Sequence, residues 1–224
     1  MTASHTISID GPGASGKNTV GLLLAQRLGY RFIDTGAMYR ALTWLALQKG
    51  LDFENGDELV RLAETTLLRV LPSTQDNPKG GLYADGADLS PLLHLPDVDA
   101  KVSVLARVPG VRAVMVSMQR QMAAEGGVVM VGRDIGTVVL PDAKVKVYLD
   151  ASPEERARRR FQELRTEGVD VALEAVLEDL RRRDALDQGR ETSPLRPAPD
   201  ACIINTEGLT PAQVVTRILE KLPR

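Results

Sequence analysis

The amino-acid sequence predicts an α/β protein: a three-layer fold with a central parallel sheet flanked by helices, a helical lid and a small antiparallel β insertion. Three observations carry that prediction. Short apolar runs alternate with helix-period segments from Ile7 onward, as a parallel sheet built from βα units requires. The first run stops at a glycine-rich loop ending in Lys17, after which Val20, Leu23, Leu24 and Leu28 recur at helical spacing. The pattern then breaks twice, into strand-like runs with turn residues between Leu68 and Leu89, and into arginine-crowded helical segments after Ala151.

The first junction, Ile7 to Thr19, reads as strand, tight loop and helix. Small residues there let backbone N–H groups wrap around a phosphate, and the helix N-terminus adds partial positive charge. Gly11, Gly16 and Lys17 fit G-x-x-x-x-G-K, so Gly11, Pro12, Gly13, Ala14, Ser15, Gly16, Lys17, Asn18 and Thr19 are the candidate phosphate loop (P-loop) for ATP, with Lys17 reaching the outer phosphates. The next position should carry a hydroxyl but is Asn18, so Thr19 is the candidate ligand for Mg²⁺. The same letters fit G-x-G-x-x-G at Gly11, Gly13 and Gly16, with Asp34 near the spacing of a ribose-binding acid. Lys17 favours a triphosphate over that dinucleotide reading, because a Rossmann helix has no use for a lysine aimed at phosphate.

In chain order, Tyr30 to Asp34 is the second strand and Gly36 to Gly50 the second helix, with Met38, Leu42, Leu45 and Ala46 on one side and Trp44 in the core. Thr35, Tyr39 and Arg40 then stand near a strand's carboxyl end, where open α/β sheets bind ligands. Asp57 to Leu68 reads as a third helix. Leu68 to Leu71 and Gly81 to Leu89 are the strands of an antiparallel insertion, with an exposed loop from Gln75 to Gly81 and an end near Pro96. Asp97 to Arg107 and Pro109 to Glu125 are helices, the second opening on a proline in an N-terminal position. Gly127 to Val131 is a buried central strand leading into Gly132-Arg133-Asp134-Ile135-Gly136-Thr137, where the adjacent Arg and Asp invite a functional reading. Val145 to Asp150 is the next strand. Ser152 caps a helix with Pro153 at its first position, and that helix breaks near Gly168 before restarting as Val171 to Leu186. Ala201 to Ile204 and Pro211 to Leu222 supply a last strand and helix.

A net charge of −2 over 224 residues argues against a partner that is a nucleic acid polymer. Nearly half of the arginines nevertheless lie between Ala151 and Arg196, with no lysine among them, a preference that bidentate phosphate recognition explains. Cys202 is the only cysteine and is expected as a buried core thiol in a reducing compartment. No apolar run reaches targeting or spanning length, so the expectation is a soluble, cytoplasmic protein without a membrane partner. His5 and His94 are too few and too isolated for zinc and are expected on the surface.

With these residues laid out, the chain resembles the bacterial cytidylate kinases, of the P-loop nucleoside monophosphate kinase group. The likeness covers nearly the whole length and rests on the phosphate loop, Asp34 to Arg40, the run Gly132 to Thr137, Ser152 to Ala157, Arg183-Asp184 with Asp187 and Arg190, and Ser193 to Leu195. The run Gly132 to Thr137 and the antiparallel insertion separate it from adenylate and shikimate kinases. Asn18, Thr35 and Val131 depart from the family pattern. The last removes a carboxylate before Gly132 and leaves Asp10 and Asp34 as candidates near the metal.

The resemblance implies Mg²⁺-dependent transfer of the ATP γ-phosphoryl group to CMP or dCMP; a monomer is expected. It implies that Arg40 and Arg133 hold the acceptor phosphate beside Tyr39, that Thr35, Arg112, Asp134 and Arg190 read the cytosine, and that Ser103, Arg183 and Asp187 hold the sugar. The catalytic groups it implies are Lys17, Arg133 and one arginine of the 156–160 run, for which Arg159 is the candidate. It divides the chain into a core (1–67, 97–150 and 187–224) holding the phosphate loop, an NMP-binding insertion (68–96) and an arginine-rich lid (151–186).

Overall fold

A computed structural model describes residues 5–71 and 80–222. Five strands, β1 (Thr6–Asp10), β2 (Arg31–Asp34), β6 (Val128–Gly132), β7 (Val145–Asp150) and β8 (Cys202–Asn205), form a parallel sheet in the order β2-β6-β1-β7-β8. The sheet's two faces follow from the period of two along each strand. Ile7, Ile9, Val129, Val131, Val147 and Leu149 face a layer made by α1 (Lys17–Leu28) and α8 (Pro211–Leu219), whose Val20, Leu24, Val214 and Ile218 complete that core. Val128 and Met130 point the other way, against Ile135, Val139 and Ala123. On β1 the residues of that second face are polar, Ser8 and Asp10, and both are buried.

The second layer holds α2 (Thr35–Gln48), α3 (Gly56–Thr65), α4 (Pro96–Leu105) and α5 (Pro109–Ala123). Their apolar faces share one core with a separate antiparallel sheet of β3 (Leu68–Leu71), β4 (Gly81–Ala84) and β5 (Ala87–Asp88), to which Leu68, Leu82 and Ala84 contribute. The remaining helices, α6 (Pro153–Thr166) and α7 (Leu173–Gln188), pack on each other through Ala157, Val176 and Leu180. Ser152 caps α6 by accepting from the Glu155 N–H at 3.3 Å, and Gly168 takes the left-handed conformation (φ 79°) that ends the expected first half of this hairpin.

Three local expectations change. The third helix ends at Thr65, not Leu68: the Thr66 hydroxyl donates to the Leu62 carbonyl (2.7 Å) and the Thr66 backbone turns extended, which frees Leu68 to pair with Ala84. Gly81 to Leu89 is not one strand but a hairpin, because Asp85 (φ 50°) and Gly86 (φ 87°) form the two-residue turn that Asp-Gly favours. Cys202 is half-buried, since it lies on an edge strand whose neighbour Ile203 is 62% exposed. Most of the expected Gln75–Gly81 loop lies outside the described residues. Among the described residues no helix is long and apolar enough to cross a membrane.

Candidate active site

The carboxyl ends of β1, β2 and β6 open into a cleft of about 230 Å³ roofed by α6 and α7. Its floor is the phosphate loop. Gly11 has φ 148°, and a Cβ there would meet the Leu149 carbonyl oxygen at 2.1 Å, so only glycine turns the chain at this point. Ala14 (φ 57°) and Gly16 (φ 88°) are also left-handed, and α1 starts from Gly16 with no side-chain cap. The first N–H groups of that helix are therefore free to receive an anion. The Lys17 ammonium lies beneath the loop, donating to Pro12 O at 2.5 Å and Ser15 Oγ at 3.3 Å. Burial, and then the nearby Arg133, holds Lys17 well below its ordinary value. Gly13, Ala14, Gly16, Lys17, Asn18 and Thr19 line the cleft, whereas Gly11, Pro12 and Ser15 shape it from behind.

A second charged group lines the same cleft. Asp134, at the end of β6, pairs with Arg112 of α5, both buried; Arg112 also donates to Ala106 O at 3.2 Å and lies 5.5 Å from the Tyr39 ring centroid. Asp187 of α7 gathers Arg133 (2.8 Å), Arg190 and the Ser103 hydroxyl (3.3 Å). Burial works to raise the Asp187 carboxyl, and Arg133 and Arg190 outweigh it, holding the group below its ordinary value. The Tyr39 hydroxyl and the Nε atoms of Arg112 and Arg190 are buried with no partner among the described residues. Burial also pushes the Tyr39 phenol up to about 12, so it stays a neutral donor. Unpaired buried polar groups are costly, and their convergence on one cleft marks a surface built for a polar ligand.

Three comparisons place this geometry. A family model described as cytidylate kinase matches residues 7–224. A cytidylate kinase of Roseiflexus castenholzii is 48% identical over 99% of this chain and 95% of its own length. The chain belongs to the cytidylate kinase family. Its cytidylate kinase relative from Geobacillus thermodenitrificans is 49% identical over 96% of this chain and 94% of its own. For the fold alone, a solved structure of an uncharacterized protein from Eubacterium ventriosum aligns with TM-score 0.51 at 14% identity, covering 97% of each chain.

Membership in the cytidylate kinase family makes the chain a phosphotransferase and gives its local departures a chemical meaning. Asn18 donates to Asp34 Oδ2 at 2.6 Å while Asp34 Oδ1 accepts from the Gly36 N–H, so the departure ties the loop to the start of α2. The Thr35 hydroxyl donates to Val131 O at 2.9 Å, a bond that needs only the backbone of the departing valine. Asp34 lines the cleft, but Asp10 does not: it is buried, with its oxygens accepting from the Ile135 (2.8 Å) and Gly136 (2.7 Å) N–H groups, and that position outside the cleft removes it as a candidate beside a metal.

Of the arginines expected over the phosphates, Arg159 is not among the residues that line the cleft, although its guanidinium comes within 4.0 Å of where a Cβ on Gly16 would sit. It pairs with Glu155 (2.8 Å) and donates to Thr206 Oγ1 and O (both 2.9 Å), whereas Arg160, one helical step on, lines the cleft with Arg183. Arg40, Thr35, Tyr39, Ser103, Arg112, Arg133, Asp134, Asp187 and Arg190 also line it. Arg156, from the same run as Arg159, has a different role. It is buried and clips α6 to the phosphate loop, donating to Gly13 O (3.2 Å), Ala151 O (3.0 Å) and Asp184 (2.7 Å). His94, expected on the surface, is exposed yet reaches the cleft wall; partial burial, and then Arg40, lowers its imidazole below the ordinary value.

Proposed function

We propose that this chain transfers the γ-phosphoryl group of ATP to CMP or dCMP, releasing ADP and CDP or dCDP. The observation that carries the reading is the pairing, in one cleft, of a phosphate loop with the Arg112–Asp134 pair and its unpartnered donors. An acceptor phosphate oxygen, ionised near neutral pH because its second pKa is about 6, attacks the γ-phosphorus while the bond to the β-bridging oxygen breaks and ADP leaves. No strong base is required. The protein's work is alignment and charge neutralisation by backbone N–H groups, Lys17 and arginines.

In this reading Arg40 and Arg133 hold the acceptor phosphate, and Asp134 accepts from the cytosine amino group through Oδ1, since Arg112 occupies Oδ2. Arg112 and Arg190 donate to the carbonyl side, and Ser103 with Asp187 holds the sugar. Arg160 and Arg183, which line the cleft, take the place at the γ-phosphate that Arg159 was expected to fill. The α6–α7 hairpin acts as the lid and the 68–96 insertion walls the acceptor side.

Thr19, exposed at the cleft, offers a hard oxygen donor of the kind magnesium takes, with the cleft-lining Asp34 carboxylate, already held by Asn18 and Gly36, beside it, and few protein donors are needed because magnesium keeps several waters and phosphate oxygens. When bound, magnesium neutralises charge on the β and γ phosphates. The lone cysteine suits a reducing compartment such as the cytoplasm.

ADP release measured with CMP, dCMP, UMP and AMP as acceptors tests the reading. The two cytidylates should lead in kcat/KM, with UMP behind by two or more orders of magnitude, as expected of about 10⁴-fold discrimination by hydrogen-bonding sites. Preference for AMP or UMP overturns it.

A further inference from the structure

Among the described residues, Asp99 is the one carboxylate on which three cleft-lining arginines from three different helices converge. Arg40 of α2 lies 2.8 Å from Oδ1, Arg160 of α6 3.3 Å from Oδ2, and Arg183 of α7 3.7 Å from Oδ1. All four side chains are largely removed from water, Asp99 being 17% exposed. The arginines line the cleft and Asp99 does not, so the carboxylate stands behind the guanidinium groups and leaves their outer donors to a ligand. Arg160 and Arg183 have second partners on their own helices, Glu163 (3.3 Å) and Asp179 (3.8 Å). Arg40 has no other carboxylate within 4.0 Å among the described residues.

We propose that Asp99 is a positioning residue that couples binding of the acceptor phosphate to closure of the α6–α7 hairpin. The proposal rests on the phosphoryl-transfer reading above. One negative charge shared by three guanidinium groups keeps mutually repelling cations at a fixed spacing and leaves a net positive face toward the cleft. A phosphate bound to Arg40 fixes the Arg40–Asp99 pair, and Asp99 in turn sets where Arg160 and Arg183, and hence the hairpin, come to rest. Linkage makes the effect reciprocal: an occupied donor site that draws in Arg160 orders Arg40 for the acceptor. Without Asp99 the two halves of the cleft lose their shared carboxylate.

Calorimetric CMP binding, with and without a saturating non-hydrolysable ATP analogue, reads this coupling in wild type and in Asp99→Asn, Asp99→Ser and Asp99→Glu. Wild type should bind CMP about 5-fold or more tighter with the analogue present, within the usual 5 to 150-fold range of allosteric coupling. In Asp99→Asn that ratio should fall below about 2-fold, and amides of α6 and α7 in the ligand-free protein should exchange about ten times faster at unchanged circular dichroism. Asp99→Ser gives the same readout should the asparagine variant fail to fold. Partial recovery of the coupling ratio in Asp99→Glu, which restores the carboxylate, supports the proposal. Wild-type coupling and exchange protection in a folded Asn or Ser variant overturns it, as does a wild type that binds CMP without coupling. A wild type that binds no CMP at all overturns the proposed function instead.

Discussion

Lys17 is held under the phosphate loop by two oxygens, and burial together with Arg133 disfavours its charged form, while Asp34, Asp10 and Asp187 favour it. A polyphosphate supplies the missing negative charge, so the interaction strengthens as charge shifts onto the transferred group. Lys17→Ala should therefore lower the single-turnover rate about 100-fold or more at saturating ATP and magnesium, the scale of losing one preorganised donor, with little change in the folded signal. A rate within tenfold of wild type would remove Lys17 from the chemistry. Asp134→Asn should lose CMP activity far more than UMP activity, narrowing their kcat/KM ratio, because an amide presents a donor as readily as an acceptor to the base. Arg40→Ala should weaken both acceptors alike, since in the proposed reading it holds only the shared phosphate. These residues were legible in the sequence because a loop motif and an adjacent Arg-Asp at a strand's end are local signals. The roles of Asp99, Arg156 and Asp10 were not, because the partners that define them, such as Arg160 for Asp99, Gly13 and Asp184 for Arg156 and Ile135 and Gly136 for Asp10, lie far away in the chain and no spacing rule links them. Which arginine of the 156–160 run lines the cleft is illegible for a related reason: the helix's rotation relative to the sheet decides it, and that rotation is a packing outcome.

At the scale of elements, β1 is joined to the turn after β6 through Asp10, whose oxygens accept two backbone N–H groups from the segment that carries Arg133 and Asp134. Burial raises the Asp10 carboxyl to about 6, outweighing those two bonds, which lower it. Because the folded value lies above the unfolded one, the contribution of Asp10 to stability is fully present below its ordinary value and is lost as pH rises through about 6. The size of that loss is on the order of 3 kcal/mol. Urea unfolding of wild type and Asp10→Asn should show a stability difference that shrinks between pH 4.5 and pH 7, and a pH-independent difference would exclude this titration. The α6–α7 hairpin is the other element that links parts of the site. It is tied to the phosphate loop by Arg156 and to α4 through Asp99, with a small apolar core of its own. Amide exchange in α6 and α7 should slow on binding a bisubstrate analogue, because phosphate replaces repulsion among the guanidinium groups; equal protection with and without it would count against a lid.

For the molecule as a whole, the parallel sheet was legible because buried strands such as Val128–Gly132 read as continuous apolar runs, and the starts of α5 and α6 because Pro109 and the pair Ser152 and Pro153 announce them. The Asp85-Gly86 hairpin and the end of α3 were less so, since each depends on which strand Leu68 finds to pair with. The net charge of −2 hides an uneven distribution in which guanidinium groups from α2, α5, α6, α7 and the turn after β6 point into a single cleft. That arrangement favours a polyanion in the cleft, and a ligand that binds only the folded state stabilises it by mass action. At about 100 times its dissociation constant, a bisubstrate analogue adds about 2.7 kcal/mol, and for a chain of this size that is a rise in Tm of about 5 to 10 °C. ATP alone or CMP alone, each at the same multiple of its own dissociation constant, should give a shift of similar size. The two together should exceed the sum of their separate shifts in wild type, and the excess should disappear in Asp99→Asn. Raising salt should shrink every one of these shifts at fixed ligand concentration, because the charges concerned are only partly shielded from solvent. Calorimetric scans that show simple additivity in wild type would mean that the two halves of the cleft bind independently, and that the hairpin responds to ATP without regard to the acceptor.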